Sequence, residues 1–420
     1  MQKRNTVLFI DHISLTASQS ISDYNRKIKD QDSQLKIAVI RDARSNRQQK
    51  TDFDYIVCDF SKPLRLAKAL APYQEKLLAV TCTGDKNIAD FAKVIPYVPY
   101  LRTPTEKSLQ WSVDKVAMRQ HFLNYDKKIS PNFLVVTDDS KETIKKIKKE
   151  IRFPLVIKPA SLGASIWVTN CFHEEELIQS LHKIFKHLHI AYKKDKRAEI
   201  PKILVEEFME GTLYSIDAYV SSRGTITFCP MVQVKTGKEI GFDDFFGYQQ
   251  MTPTTLKQKS IEAAQEVAAK GIHALNLRST SAHVEIIKTE DGFKIVEIGP
   301  RIGGFRHYLY ELSYGMDHSL NDIFIRVPTK IRVPKKVKGY SVAMKFFAKK
   351  EGRLKKLSGA KKIKELASYS KLTINKKPGD MCHYAKNGGR SVCNLTMFNP
   401  SRSELLADIR RAESHLKIIT

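Results

Sequence analysis

The chain has 420 residues, 42% of them hydrophobic, and a formal net charge of +26. That length accommodates two to four lobes with ordinary cores. No apolar run approaches the roughly 20 residues of a membrane helix, so a membrane partner is not expected. The start, Met1 to Thr6, leads straight into the short strand-like Val7–Ile10 and lacks an apolar signal core. The six cysteines show no paired spacing, which argues against a zinc site or disulfide frame and fits reduced thiols in a cytoplasm. Basic residues cluster at 141–152, 193–197, 335–338 and 349–364 without interleaved aromatics. With no helix-turn-helix, RNP or zinc-finger signature, the clusters read as solvated surface, and nucleic acid is not the expected partner. Polyanion binding stays open as an alternative class, marked by a steep salt dependence.

Residues 1–105 alternate short buried strands (Val7–Ile10, Lys36–Ile40, Tyr55–Cys58, Leu77–Thr81) with helical stretches at Ser61–Leu70 and Asn87–Lys93. This alternation predicts a small parallel α/β lobe. Prolines at 96–104 mark a connection, followed by helices from Thr105 and at Val113–Leu123. Residues 131–225 read as mixed, with strands Phe133–Val136, Leu155–Lys158, Ile166–Val168, Ile203–Glu206 and Ser215–Val220. Helices are expected at Lys141–Glu150 and Glu174–His189, and an exposed loop at Lys193–Arg197. Ser260–Ile272 is a further amphipathic helix. After residue 330 the chain is basic and strand-like (Tyr340–Phe347) and ends in a helix at Ser403–Leu416, whose leading Ser-Arg-Ser-Glu suggests a cap.

Three segments carry chemistry. The strand Leu155–Lys158 ends in a lysine beside the small residues Ala160 to Ser165. Such a lysine can reach a phosphate that the loop's N–H groups cap. The strand Ile203-Leu204-Val205-Glu206-Glu207-Phe208-Met209-Glu210 stops at Gly211, and its free backbone groups can mimic base pairing to adenine. Third, Ser281-Ala282-His283-Val284-Glu285 and Ile295-Val296-Glu297-Ile298-Gly299-Pro300-Arg301 flank the turn Glu290-Asp291-Gly292. A three-residue loop ending in a left-handed glycine pairs Thr289 with Phe293 and sets Glu285 opposite Glu297. Two carboxylates side by side call for a hard divalent cation. A two-residue Asp-Gly turn would instead send them to opposite faces. The loop Lys235–Pro253, with its glycines and aromatics, is a candidate lid in which Asp243 or Asp244 receives an ammonium group.

In this order the segments resemble the ATP-grasp superfamily, most closely its carboxylate–amine ligases of the L-amino-acid-ligase type. The strong part of the resemblance covers residues 106–325. It implies a fold of class α/β, with α+β grasp lobes. A Rossmann-like pre-ATP-grasp lobe spans 1–105, a two-lobed ATP-grasp domain 106–330 and a small C-terminal α+β lobe 331–420. It also implies roles. Lys115 and Lys158 hold the nucleotide phosphates, and Lys158 and Arg301 serve catalysis. Ser161, Gly163 and Ser165 belong to the loop that closes over the phosphates. Glu206, with the backbone of Glu207, Phe208 and Met209, forms the adenine clamp, and Glu210 reaches the ribose. Glu285 and Glu297 bind Mg²⁺, with Mn²⁺ as an alternative. Arg301 steadies the transferring phosphoryl group and the tetrahedral intermediate. His307, Tyr308 and Tyr310 are candidates to line an acyl pocket.

The chain departs from the family pattern at Gly299, where an asparagine ligand is usual, and at Leu213, where an acidic ribose contact is common. The implied activity joins a carboxylate, activated by ATP as an acyl phosphate, to an amine such as an amino acid, with ADP and phosphate as products. The implied partners are these small molecules and a second copy of the chain in a homodimer. Two alternatives stay open: a nucleotide-binding regulatory protein without turnover, and a biotin-carboxylase-like or carbamoyl-phosphate-like enzyme.

Overall fold

The computed structural model describes residues 4–45, 53–160, 167–194 and 200–420. The phosphate-loop candidates Ser161, Gly163 and Ser165 lie outside the described residues.

The first lobe is a four-stranded parallel sheet of β1 (Thr6–Ile10), β2 (Lys36–Asp42), β3 (Asp54–Cys58) and β4 (Leu77–Cys82), in the order β3-β2-β1-β4. Val7, Leu8 and Ile10 are fully buried, as expected of a parallel strand covered on both faces. Helices Pro63–Leu70 and Ile88–Val94 pack as anticipated. A further helix, Leu15–Asn25, was not anticipated. Its sequence is largely polar, and Ser14 caps it by accepting from the Ala17 N–H. It packs on helix His318–Phe324, where Tyr24 and Phe324 meet edge to face at 5.4 Å.

The second unit is an antiparallel sheet of β5 (Phe133–Val136), β6 (Leu155–Pro159), β7 (Thr169–Cys171) and β8 (Ile203–Glu207), in the order β5-β8-β6-β7. Helices Lys141–Glu150 and Glu174–Lys194 cover it. Of the expected strand Ile166–Val168, Ile166 lies outside the described residues and Trp167 has a left-handed backbone (φ 57°) that no strand accommodates; the described strand is Thr169–Cys171. The second helix runs past His189 and takes in Lys193 and Lys194 of the expected loop, whose remaining residues are not described.

The third unit is a nine-stranded antiparallel sheet. It contains β9 (Thr212–Val220), β10 (Ile226–Phe228), β11 (Val232–Thr236), β12 (Gly247–Thr252), β13 (Thr280–Thr289), β14 (Gly292–Gly299) and β15 (Tyr340–Phe346). Strands Cys393–Asn399 and Tyr369–Ile374 complete it. β12 pairs with β15, so the sheet runs unbroken from β9–β14 into the segment after residue 330. Helix Gln258–Ala274 covers one face. A Cβ on Gly271 would sit 2.4 Å from Ile295 Cδ1, so this glycine lets helix and sheet approach. Helix Arg306–Tyr314 covers part of the other face, and the terminal helix Arg402–His415 starts at the Ser401 cap.

Candidate active site

The β13–β14 hairpin places its two glutamates side by side, by a different route from the one expected. Its turn has two residues, Glu290 and Asp291, with Thr289 paired to Gly292. That register alone would put the glutamates on opposite faces. A β-bulge at Val296 restores the pairing, so Glu285 stands opposite Glu297. The bulged Val296 carbonyl accepts from Arg119 Nη2 at 2.8 Å.

Arg119 belongs to helix Lys115–Asp126, which Asp114 caps by accepting from the Val116 and Ala117 N–H groups. The cap makes half-buried Lys115 the first helical residue, with Arg119 one turn on along the same face. Arg119 Nε donates to Glu206 Oε1 at 2.6 Å, and Lys158 Nζ lies 2.7 Å from Glu206 Oε2. All three side chains are at least nine-tenths buried. Burial would raise the Glu206 pKa, but the two cations overcome it and hold it at about 2. Burial also pulls Lys158 down to about 8 despite the Glu206 charge.

Glu206 therefore turns its carboxylate inward to Lys158. Glu207 pairs with Lys294 and accepts from Asn132 Nδ2 at 2.9 Å. The N–H groups of Glu207 and Phe208 donate to the Asn132 and Pro154 carbonyls. The first backbone N–H past these is that of Met209, which is half-buried, followed by exposed Glu210.

Beneath the hairpin lies a buried polar chain centred on Asp217. Its carboxylate is within 2.6 Å of His283 Nδ1 and 2.8 Å of His318 Nε2, and it accepts from the Gly303 N–H at 2.7 Å. Burial opposes ionisation of Asp217, but the two histidines hold its pKa well below the usual carboxylate value. An ionised carboxylate only accepts, so His283 Nδ1 donates to it. His283 Nε2 then faces Glu285 Oε1 at 3.4 Å. Tyr219 bonds the far nitrogen of His318. Gly303 packs tightly here, since a Cβ would meet His283 Nδ1 at 2.4 Å.

Arg301 follows β14 and reaches the first lobe, where its Nε donates to Asp85 Oδ1 at 2.8 Å. Burial would lower the Arg301 pKa, but Asp85 raises it further. The pair also accounts for Gly299, because a Cβ there would stand 3.1 Å from Asp85 Oδ1 and 3.5 Å from the Arg301 guanidinium. The place of the family's asparagine side chain is crowded by this bridge. Arg306, fully buried, is held by Gln250 Oε1 at 2.5 Å and by Ser215.

Lys345 completes the cationic side of the site. It lies on β15, its ammonium 5.6 Å from the centroid of Phe305, a residue with a left-handed backbone. Burial lowers its pKa, Glu285 opposes that, and Arg306 and Arg301 add to it. Sequence reasoning missed Lys345, Arg119, Asp217 and Asp85. The signal for Asp217 was present, since it is a carboxylate in an apolar strand, as Glu285 is.

The candidate lid differs from expectation. Lys235–Thr236 and Gly247–Thr252 are strand, which leaves residues 237–246 as the connection between them. Asp243 receives the ammonium of this chain's own Lys386 at 2.6 Å, and the buried Asp244 accepts from the Lys386 N–H at 2.8 Å. The Lys386 carbonyl accepts from the Trp167 N–H at 3.3 Å, so the C-terminal segment touches the first described residue after the gap at 161–166. Tyr310 is a core residue, buried with its hydroxyl on the Pro230 carbonyl at 2.9 Å. Tyr308 accepts from Lys371 Nζ at 3.0 Å, and His307 bonds Ser319 at 3.1 Å.

Residues 151–308 match the family model described as ATP-grasp domain. The chain carries an ATP-grasp domain. Its fold is similar to that of an L-amino acid ligase from Bacillus licheniformis, with a TM-score of 0.80 over 100% of this chain and 99% of that one at 14% identity. It is 23% identical over 372 residues to the uncharacterized protein y4rH of Sinorhizobium fredii, covering 87% of this chain and 71% of that protein. It is 24% identical over 224 residues to a D-alanine–D-alanine ligase of Bacillus velezensis, covering 49% of this chain and 58% of the ligase. No helix among the described residues is long and apolar enough to cross a membrane.

Proposed function

We propose that this protein is an ATP-dependent carboxylate–amine ligase. The observation that carries the reading is the bulge-set pairing of Glu285 with Glu297, tied at Val296 through Arg119 and Glu206 to Lys158 and followed in the chain by Arg301. The two carboxylates supply hard oxygen donors on one face, the donor type that Mg²⁺ or Mn²⁺ prefers. They would hold the metal, which when bound neutralises part of the triphosphate charge.

Lys115 and Lys158 take the nucleotide phosphates, and Ser161, Gly163 and Ser165 close over them. Glu206 restrains Lys158 until a phosphate competes for its ammonium. The backbone at Met209 meets adenine, and Glu210 reaches the ribose. The substrate carboxylate attacks the γ-phosphorus, ADP leaves, and an acyl phosphate forms. The amine nitrogen then attacks the acyl carbon. A proton leaves the nitrogen, the C–O bond to phosphate breaks, and phosphate departs. Arg301 faces the oxyanion of that step, and Lys345 adds a second positive charge. Shielding the acyl phosphate from water is a role for the connection at Asp243 and Asp244, which Lys386 holds.

The test is oxygen transfer. A substrate carboxylate labelled with ¹⁸O should deliver one labelled oxygen to each phosphate released. Unlabelled phosphate would exclude the acyl-phosphate route.

A further inference from the structure

The positive charge of the chain is not spread evenly. Residues 331–420 carry 22 Lys and Arg against 6 Asp and Glu, whereas the preceding 330 residues carry 49 against 39. A uniformly basic composition would place only about a fifth of the excess in this last segment, yet it holds 16 of the 26 net charges. Like charges gathered on one surface repel and weaken the compact state. An anionic partner would offset that cost.

Two short antiparallel ribbons gather part of this charge on one face. Gly352–Arg353 pairs with Met381–Cys382, and Lys356–Ser358 pairs with Lys417–Ile419. The ribbons adjoin, since the Leu354 N–H donates to the Asp380 carbonyl and the Lys355 N–H to the Ile419 carbonyl, each at 2.8 Å. Their inner side chains form a single apolar cluster, in which Leu357 and Ile418 pack against Leu354, Cys382 and Val392. Opposed strand residues share a face. Lys356 is opposite Ile419 and Lys417 opposite Ser358, so these four stand on the outer face. Arg353 and its partner Met381 do the same beside them, and Lys355 is exposed between the two ribbons. Met381 and Ile419 are 43% and 47% exposed amid the cations. Among the described residues, the carboxylate contacts of this segment join His383 to Glu351, Lys386 to Asp243 and Arg411 to Asp408. None reaches Arg353, Lys355, Lys356 or Lys417.

We propose that this outer face docks an acidic polypeptide, a segment rich in Asp and Glu with apolar side chains between them. The proposal is independent of the ligase reading. The partner's carboxylates pair with Arg353, Lys355, Lys356 and Lys417, and its apolar side chains cover Met381 and Ile419. None of the four strands carries an aromatic residue. The face therefore lacks the stacking platform of single-strand nucleic-acid binders and the aromatic anchors of membrane-interface proteins. A duplex would neutralise the cations through its phosphates but leave the two apolar side chains uncovered.

The test is fluorescence anisotropy of the full-length protein with a labelled Glu-rich peptide containing interspersed leucines, at physiological ionic strength. A duplex oligonucleotide of equal charge and phosphatidylserine vesicles are measured alongside. The double variant Lys356→Glu, Lys417→Glu is compared with Lys145→Glu, Lys149→Glu, which makes the same charge change on the basic helix Lys141–Glu150. The ribbon variant should weaken peptide binding about tenfold or more, and the helix variant less than about twofold. Thermal unfolding of each variant controls for misfolding, and Lys356→Gln with Lys417→Gln repeats the comparison at a smaller loss. No peptide binding, equal losses in the ribbon and helix variants, or tighter binding of the oligonucleotide or the vesicles than of the peptide would overturn the proposal.

Discussion

Arg119 donates to the carbonyl of Val296, the bulged residue that brings Glu297 opposite Glu285. The same guanidinium holds Glu206, which holds Lys158. One side chain on helix Lys115–Asp126 thus ties Lys158, the proposed phosphate lysine, to the register of Glu285 and Glu297, the proposed metal ligands. Its Nη1 is buried without a partner among the described residues, so the cation is fixed by these bonds at some cost.

Arg119→Met leaves Glu206 with one cation and frees the bulge. Removing one partner of a buried ion pair costs about 3–5 kcal/mol. Thermal unfolding should show a loss of that order. Mg²⁺ dependence should also shift to higher concentration, which a purely structural role at Glu206 would not produce.

The Lys158 pKa of about 8 sets a pH limb. The lysine is a cation below that value and neutral above it. kcat/KM for ATP should therefore fall as pH rises through about 8. Lys158→Arg keeps its charge throughout and should abolish the limb. A limb that persists in the arginine variant would assign it to another group.

Lys345 is expected to act on the anion formed during acyl transfer. Lys345→Met should lower kcat by about tenfold to a hundredfold, with ADP affinity unchanged. Steady-state kinetics and nucleotide binding, measured together, separate this from misfolding.

Asp85→Ala removes the anchor of Arg301 from the first lobe. The amine-dependent step should slow about tenfold or more, while ATP binding, for which Lys115 and Lys158 are the proposed phosphate ligands, should hold. Hydroxamate trapping of the acyl phosphate reads the two halves of the reaction separately.

Much of this arrangement was legible in the sequence because it depends on local patterns. The apolar runs of β1, β2 and β4 and the alternation of β13 mark strands by themselves. The Ser140 and Ser401 caps mark helix starts at the anticipated places. Glu285 opposite Glu297 was reached from the wrong turn, since the expected three-residue loop is a two-residue turn plus a bulge at Val296. The bulge was invisible because nothing local specifies it; its carbonyl is held by Arg119, 177 residues earlier. Asp85 with Arg301 is likewise a meeting of two lobes across 216 residues. Helix Leu15–Asn25 was missed because its apolar face is thin: Leu15 is 86% exposed and only Ala17, Ser20 and Ile21 are buried.

The most direct measurement is Mg²⁺-dependent ADP release across amino acids and polar amines, singly and in pairs, with Glu297→Ala as control. The account predicts release that requires a particular carboxylate–amine pair and vanishes in the variant. Release unaffected by Glu297→Ala, or no ATP binding at all, would contradict it.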